Sequence, residues 1–595
     1  MKNLKIKSNI AAIALAIIMI MSIMLFPLVI NAGTSTQKTE VTYPVPMWNY
    51  LTPYNTFPSP WMQAGNMIQW YNATGTSYNP TSTGPGSSHL IWATQYDVGG
   101  IKVDPAIGDN PGNAGFGDSV DESFPEVRGV FAVSAVGIYV TANSRDLRGY
   151  NIYTGELLWQ TAMTHSMTNM IVRDDNPPIV TICSSNRWVQ EFNLLTGELE
   201  DSWRMPQEVI FTYDGDAICR SARDGRVSFM YRYTMEEDPE LIWGPVPGSY
   251  RNTCINDGVL VTMLGTEHFI NGIDIETGEQ LWENGLSSMS YGSAGYGMYY
   301  VGGVDQSFYA FNVHTGELAW KEIVPGSSYW SENYCLVGEG KVSQGNYDGR
   351  VHVFDAFTGE KLWEYYGGNC IYENYKTYFG TYPISAGAGP VGAGDRMYAA
   401  QGEHSSYEVG QLPGQYMFGW DFTNGELLWK FPCRIGGHNG RGIVADGVLL
   451  TVDGYTNKLF AFSKGPTTTT VSTTATQIPV GGYTVITGKV VDESLAQPGT
   501  PAVSDASMDA WMAFLHAGMP EPEVGSIIGV DVNLLAISSD EMFEIGTATC
   551  DSSGQFAYKW TPPNTEEVYT ITASFMGSES YYESWDSATL AVGGI

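Results

Sequence analysis

The sequence predicts an all-β chain: an eight-bladed β-propeller, with seven blades as the alternative, followed by an immunoglobulin-like β-sandwich with a short helical insertion. Three observations carry this. A pattern Asx-x-x-Thr-Gly-Glu-x-x-Trp recurs along the chain. Its copies lie about 40 residues apart, the length of a four-stranded blade. The composition, with 68 glycines and 13% aromatic residues in 595, suits many short strands and tight turns.

The pattern occupies Asn151–Trp159, Asp274–Trp282, Asn312–Trp320 and Asp355–Trp363, and with Asn424 for Thr it returns at Asp421–Trp429. A copy starting at Asn193 has its tryptophan two places late, at Trp203, and a worn copy without Thr-Gly ends at Trp243. Each copy follows a short alternating apolar run, so the pattern marks a hairpin corner. The Asx side chain bonds backbone N–H groups ahead of it and starts the turn. Gly supplies a positive φ without steric cost. The next strand carries Trp inward as a packing anchor, and the Glu is a solvated turn residue.

The blade count follows from matching hairpins to tryptophans. A last hairpin, residues 442–463, has no tryptophan strand after it. Residues 89–97, containing Trp92, resemble such a strand and lie at the other end. Counting it gives a matched set: Trp92, Trp159, Trp203, Trp243, Trp282, Trp320, Trp363 and Trp429. The expectation is a ring closed by pairing the N-terminal strand with the last blade, which hides both sheet edges.

These repeats resemble the PQQ-like repeat propellers of the quinoprotein alcohol dehydrogenase-like superfamily. The repeated Thr-Gly-Glu-x-x-Trp is specific for the fold and says little about activity, because it sits in the scaffold. The superfamily includes dehydrogenases and non-enzymatic members. A dehydrogenase of this kind carries an adjacent Cys-Cys pair beside its cofactor, an Asp base and a calcium site. No two of the seven cysteines here are adjacent. This departure from the dehydrogenase pattern leads to the expectation of no cofactor, with PQQ only under an enzymatic alternative. The whole layout resembles uncharacterised archaeal surface proteins.

After Gly465-Pro466 the composition shifts to threonines alternating with apolar residues, and strand–turn–strand segments continue to the end. This predicts the immunoglobulin-like sandwich over 466–595. Ser504 or Ser507 is placed to cap a helix running through Met508, Trp511, Met512 and Leu515 and ending at Gly518. The expected divisions are 1–32 as signal peptide or N-terminal membrane anchor, 33–88 as an extension, 89–465 as the propeller and 466–595 as the sandwich.

Lys2, Lys5 and Lys7 precede an apolar run from Ile10 to Ile30, and small residues follow at Ala32 and Gly33. This is an export signal, cleaved or kept as an anchor, and places the remainder outside the membrane. The formal net charge of −34 repels phosphate backbones and anionic headgroups, so nucleic acid is excluded as a partner. Membrane contact is expected only through the N-terminal segment, if uncleaved. The widely spaced cysteines form neither a disulfide framework nor a zinc site. Buried thiols are one reading, with a Cys370–Cys433 bridge the other for that pair.

No catalytic residue is assigned. Ligand-binding candidates are Tyr378, Glu403 and His404 in the long interval 365–416, and His438, Asn439 and Arg441 in 436–442. Propeller loops converge at the ring ends, where binding residues concentrate. Aromatic and polar residues there suit a surface glycan or protein partner. Asp104, Asp109, Asp118 and Asp121 offer oxygen ligands for Ca²⁺ without EF-hand spacing. Asn72 heads a glycosylation sequon. The favoured reading is an exported non-enzymatic binding or scaffold protein; the alternative is an extracytoplasmic PQQ-dependent oxidoreductase.

Overall fold

A computed structural model describes residues 78–80, 82–96, 129–133, 137–142, 146–165, 167–173, 177–184, 186–221, 228–264, 269–285, 292–303, 305–324, 335–345, 348–368, 390–401, 416–433, 442–453, 458–523 and 525–594. All fall within one compact unit, Val45–Ile595.

The repeats fold as antiparallel sheets, each ending in a tryptophan strand. The Trp320 sheet is representative: Ser293–Gly295, Met298–Gly302, Ser307–Asn312 and Leu318–Ile323 pair in sequence order. The third strand is buried along its length except at its last residue, Asn312, and the fourth buries only Trp320. Alternation puts Trp inward and Leu318 outward. The Trp159, Trp203 and Trp363 sheets repeat this order with four strands each.

Two sheets depart from it. Leu241–Asn256 is one 16-residue strand that ends the Trp243 unit and begins the Trp282 unit, giving a seven-stranded sheet. Its register shifts between Ser249 and Cys254, where it leaves one neighbour for the next. The Trp429 sheet gains a parallel strand, Tyr78–Asn79, against Val391–Ala393.

The expected closing pair is present. Leu90–Gln95 lies antiparallel to Lys458–Phe462, with Trp92 opposite Ala461. The strand from the start of the repeats thus completes a four-stranded sheet with Ile443–Ala445, Val448–Asp453 and Lys458–Phe462.

The corners obey the expected chemistry. Asn151 Oδ1 accepts from the backbone of Tyr153 and Thr154 at 2.9 and 3.1 Å. The Thr has a role that the sequence reading missed: Thr154 Oγ1 accepts the Glu156 N–H at 3.3 Å, and Asn424 Oδ1 does the same for Glu426 at 2.8 Å. The corner glycine has a second role besides its φ. A Cβ on Gly359, at φ 76°, would come within 2.7 Å of the Trp320 indole of the preceding sheet. Gly359→Ala is therefore expected to cost about 2 kcal/mol or more, from left-handed strain and a displaced indole. A denaturant midpoint measured at constant slope checks this.

Two further sheets follow. One holds Thr467–Thr473, Thr484–Asp492, Thr500–Pro501 and Gln555–Trp560; the other holds Gln477–Ile478, Ser584–Val592, Glu567–Phe575, Asp531–Ile537 and Met542–Thr549. Between Thr500–Pro501 and Asp531–Ile537 runs α1, Asp505–Ala517. Ser504 takes the N-cap position without a side-chain cap bond, and Gly518 ends the helix in the left-handed conformation. The Asp505 carboxylate instead accepts from Ser578 Oγ, Glu579 N and Ser580 N. Met508 and Met512 are buried in a core that continues through Trp429, Leu90 and Phe462.

Candidate functional site

Seven of the eight tryptophans donate their indole N–H to a backbone carbonyl outside their own antiparallel repeat. Trp92 reaches Ile152, Trp159 reaches Leu194, Trp243 reaches Ile275 and Trp282 reaches Val313, at 2.6–2.8 Å. Trp320 reaches Ala356 at 3.0 Å and Trp363 reaches Phe422 at 3.1 Å. In each case the acceptor is the residue just after the Asx of the next corner.

Two positions break the rule, each for a visible reason. Trp203 Nε1 meets no acceptor among the described residues, and the next corner is the worn one. Its ring packs instead with Val209, Cys219 and Tyr233. Trp429 has no corner ahead of it, because the last sheet takes its outer strand from the other end of the chain. Pro85 supplies the carbonyl at 3.2 Å and also accepts from Tyr398 Oη. The segment carrying Pro85 is tied across three sheets. Tyr78 Oη donates to Glu339 Oε1 and to the Gly394 carbonyl, and Asn79 Nδ2 donates to the Val444 carbonyl. Gly338 and Gly392 leave the space that the Tyr78 ring fills.

Tyr378, Glu403, His404, His438, Asn439 and Arg441 lie outside the described residues, as do Asp104, Asp109, Asp118, Asp121, Asn72 and Cys370. The described strands fix where the chain departs toward them. Residues 369–389 follow the outer strand Lys361–Tyr366, 402–415 separate Arg396–Ala400 from Met417–Asp421, and 434–441 follow Leu427–Phe431. All three depart from the strand ends opposite the Thr-Gly corners.

That end carries polar clusters that the sequence reading did not pick out. Asp305 accepts from Tyr309 Oη at 2.6 Å and from Lys321 Nζ at 2.8 Å. Asp348 accepts from the Arg350 backbone and guanidinium, and His352 lies between Asp348 and Glu364 at 3.7 and 3.4 Å. Asp146 pairs with Arg148 at 3.1 Å and accepts from Gln160, while Glu208 pairs with Arg220 at 2.7 Å. One signal was available: Asp305 and Asp348 stand the same distance ahead of their corner residues, Asn312 and Asp355.

Electrostatics make this rim a set of neutralised charges. Burial pushes the Asp305 carboxyl up, but the Lys321 and Tyr309 hydrogen bonds outweigh it and hold the group below the usual carboxylate range. Asp348 behaves likewise, with His352 and Arg350 outweighing burial. Neither is poised as a base near neutral pH. The described cysteines are all buried. Burial pushes Cys550 up to about 12 and Cys183, Cys219, Cys254 and Cys433 well above the thiol range, so none of these five is an activated nucleophile. They also stand on separate strands or connections, so they do not fit the adjacent pair of a quinone site. Among the described residues no three His, Cys, Asp or Glu are placed to hold a metal ion, and no helix is long and apolar enough to cross a membrane.

The family described as outer membrane protein assembly factor BamB matches residues 243–465. No curated protein matches the chain. Among solved structures it is similar to BamB from Moraxella catarrhalis, at 13% identity over 56% of this chain and 92% of that one, with a TM-score of 0.39. It is also similar to the quinohemoprotein alcohol dehydrogenase from Comamonas testosteroni, at 9% identity over 67% of this chain and 80% of that one, with a TM-score of 0.41. A computationally designed protein, Ika8, gives 14% identity, 56% and 95% coverage and a TM-score of 0.40. The repeated sheets and the family match establish a propeller-like fold associated with PQQ-type repeats.

Proposed function

We propose that residues 89–463 form one closed eight-bladed ring, that an immunoglobulin-like sandwich follows it, and that the protein is an exported, cell-surface, non-enzymatic scaffold or binding protein. The observation that carries the closed ring is the indole-to-carbonyl series, which links every repeat but that of Trp203 to the next and returns through Trp429 to Pro85. In this reading the motif of those repeats is spent on holding one sheet to the next. Binding is left to the segments at the opposite end. The description of the matched family, an assembly factor, supports a scaffold role.

Binding then uses one end of the ring, through 365–416 and 436–442. The net charge of −34 favours neutral or cationic partners. The test is a binding screen of the ectodomain against cell-wall glycans and purified surface proteins. Tyr378→Ala, His404→Ala and Arg441→Ala should each weaken binding about tenfold or more, while Glu317→Ala and Glu360→Ala at the corners leave it unchanged. Loss in the corner variants alone would move the site to the other end. The alternative, a PQQ-dependent oxidoreductase, is tested in the same preparation. A bound-quinone spectrum and dye reduction with alcohols, after incubation with PQQ and Ca²⁺, would overturn the non-enzymatic reading.

A further inference from the structure

The five-stranded C-terminal sheet turns one face to solvent. Along Glu567–Phe575 the side chains of Tyr569, Ile571, Ala573 and Phe575 are buried, so Thr570, Thr572 and Ser574 point outward. The same alternation turns Asn533 outward on Asp531–Ile537, and Trp585, Ser587 and Thr589 outward on Ser584–Val592. Pairing registers set these side chains in transverse rows. Trp585 stands opposite Ser574, Ser574 opposite Asn533, and Asn533 opposite Thr547. In the next two rows Ser587 faces Thr572 and Thr589 faces Thr570. Ile537 and Met542 make the far corner apolar.

Trp585 is the exception among the tryptophans. Its side chain is 60% exposed, whereas every other described tryptophan is buried or half-buried. The indoles of the repeats are packing anchors. This one lies with its apolar ring in water, at the end of a row of hydroxyl and amide groups. Thr547 Oγ1 donates to Asn533 Oδ1 at 3.1 Å, which leaves the Asn533 amide N–H groups for a ligand.

Charge and area narrow the occupant. The chain carries −34, yet no lysine or arginine points out from these rows. The acidic side chains of the face, Asp531 and Glu544, stand on the two strands farther from Trp585, and Asp531 is engaged by Thr549 Oγ1 at 2.6 Å. An ionic partner finds no counter-charge beside the indole, and a second copy of the chain would bring another −34 against the first. Four strands and three rows at ordinary sheet spacings span about 300–400 Å². A stable protein interface needs about 800 Å² on each partner.

Those dimensions and groups suit a short stretch of sugar rings. The C–H face of a pyranose is apolar and stacks on an indole, which is itself apolar in body with a polar edge. Sugar hydroxyls both donate and accept, as Ser, Thr and Asn side chains do. We propose that this face binds a neutral polysaccharide. Trp585 is the platform under one sugar, and Ser574, Asn533, Ser587 and Thr572 hydrogen-bond that sugar and the next. The site lies on the C-terminal sheets and is separate from the ring-end segments 365–416 and 436–442.

The test is retention of the full chain on insoluble cellulose, chitin and mannan. Retention on at least one is expected, and it should not weaken as salt is raised, because no charge takes part. Trp585→Ala should weaken it at least tenfold. Trp585→Tyr, which keeps a flat ring, should weaken it far less. Exchange protection of Glu567–Phe575 reports whether a variant keeps the sheet folded; if Trp585→Ala loses it, Trp585→Gln takes its place with the same loss of retention expected. Retention on none of the three, or full retention of the folded variant, overturns the proposal. So does a glycan released by Tyr378→Ala and not by Trp585→Ala, which would support the ring-end site instead. Self-association that Trp585→Ala abolishes, without glycan retention, would assign the face to a second copy and overturn it too.

Discussion

Deleting residues 33–100 should abolish cooperative folding of the repeats. The deletion removes Leu90, Ile91 and Trp92, each at most 1% exposed, along with Tyr96 and the wedged Tyr78. At about 1.5–3 kcal/mol for each buried large side chain, the loss is of the order of 10 kcal/mol. That matches the whole stability of an ordinary domain, about 5–15 kcal/mol. It also strips the partner from Lys458–Phe462 and the acceptor from the Trp429 indole. The expected result is a large fall in melting temperature, with exchange protection lost first in Val448–Asp453 and Lys458–Phe462. A truncated chain that melts like the intact one would overturn the proposed closure.

Trp320→Ala should cost about 3–5 kcal/mol, the usual range for truncating a buried tryptophan. The side chain is 7% exposed and packs against Tyr300, Phe308 and Phe354 at centroid distances of 5.9, 5.5 and 6.3 Å. Most of the cost is cavity, because the Ala356 carbonyl keeps a donor in Tyr300 Oη at 3.1 Å. Sequence reasoning assigns Trp363 the same cost, and the structure corrects this. Trp363 is only partly buried at the edge of its cluster, so Trp363→Ala should cost about 1–3 kcal/mol. Urea unfolding of both variants checks the order. Equal costs would mean the two sheets are packed alike.

Much of the scaffold was legible because its signals are local. A turn needs Asx, Thr and Gly within a few residues, and a strand needs alternation. The corners, the tryptophan strands, the shift after Gly465-Pro466 and the helix stop at Gly518 all follow from such short patterns. The pairing of Leu90–Gln95 with Lys458–Phe462 was legible for a different reason: an unmatched hairpin at one end and an unmatched tryptophan strand at the other leave two edges that need each other. The binding candidates were chosen by loop length and residue type. Both properties say where a site has room, and neither says how its side chains converge.

By itself the sequence determined the repeat, its corner chemistry and the register of Trp within each outer strand. Only the tertiary structure decided what each corner touches. Gly359 is glycine for its φ and also because Trp320 of the preceding sheet lies where a Cβ would be. Pro85 stands in for a corner that the chain could not make, since the strands it joins come from opposite ends. Leu241–Asn256 serves two units because one long strand bends between them. His89 carries no motif at all. Its ring partners, Ser463 and Asp492, are both remote in sequence, and such long-range proximity leaves no trace in local composition.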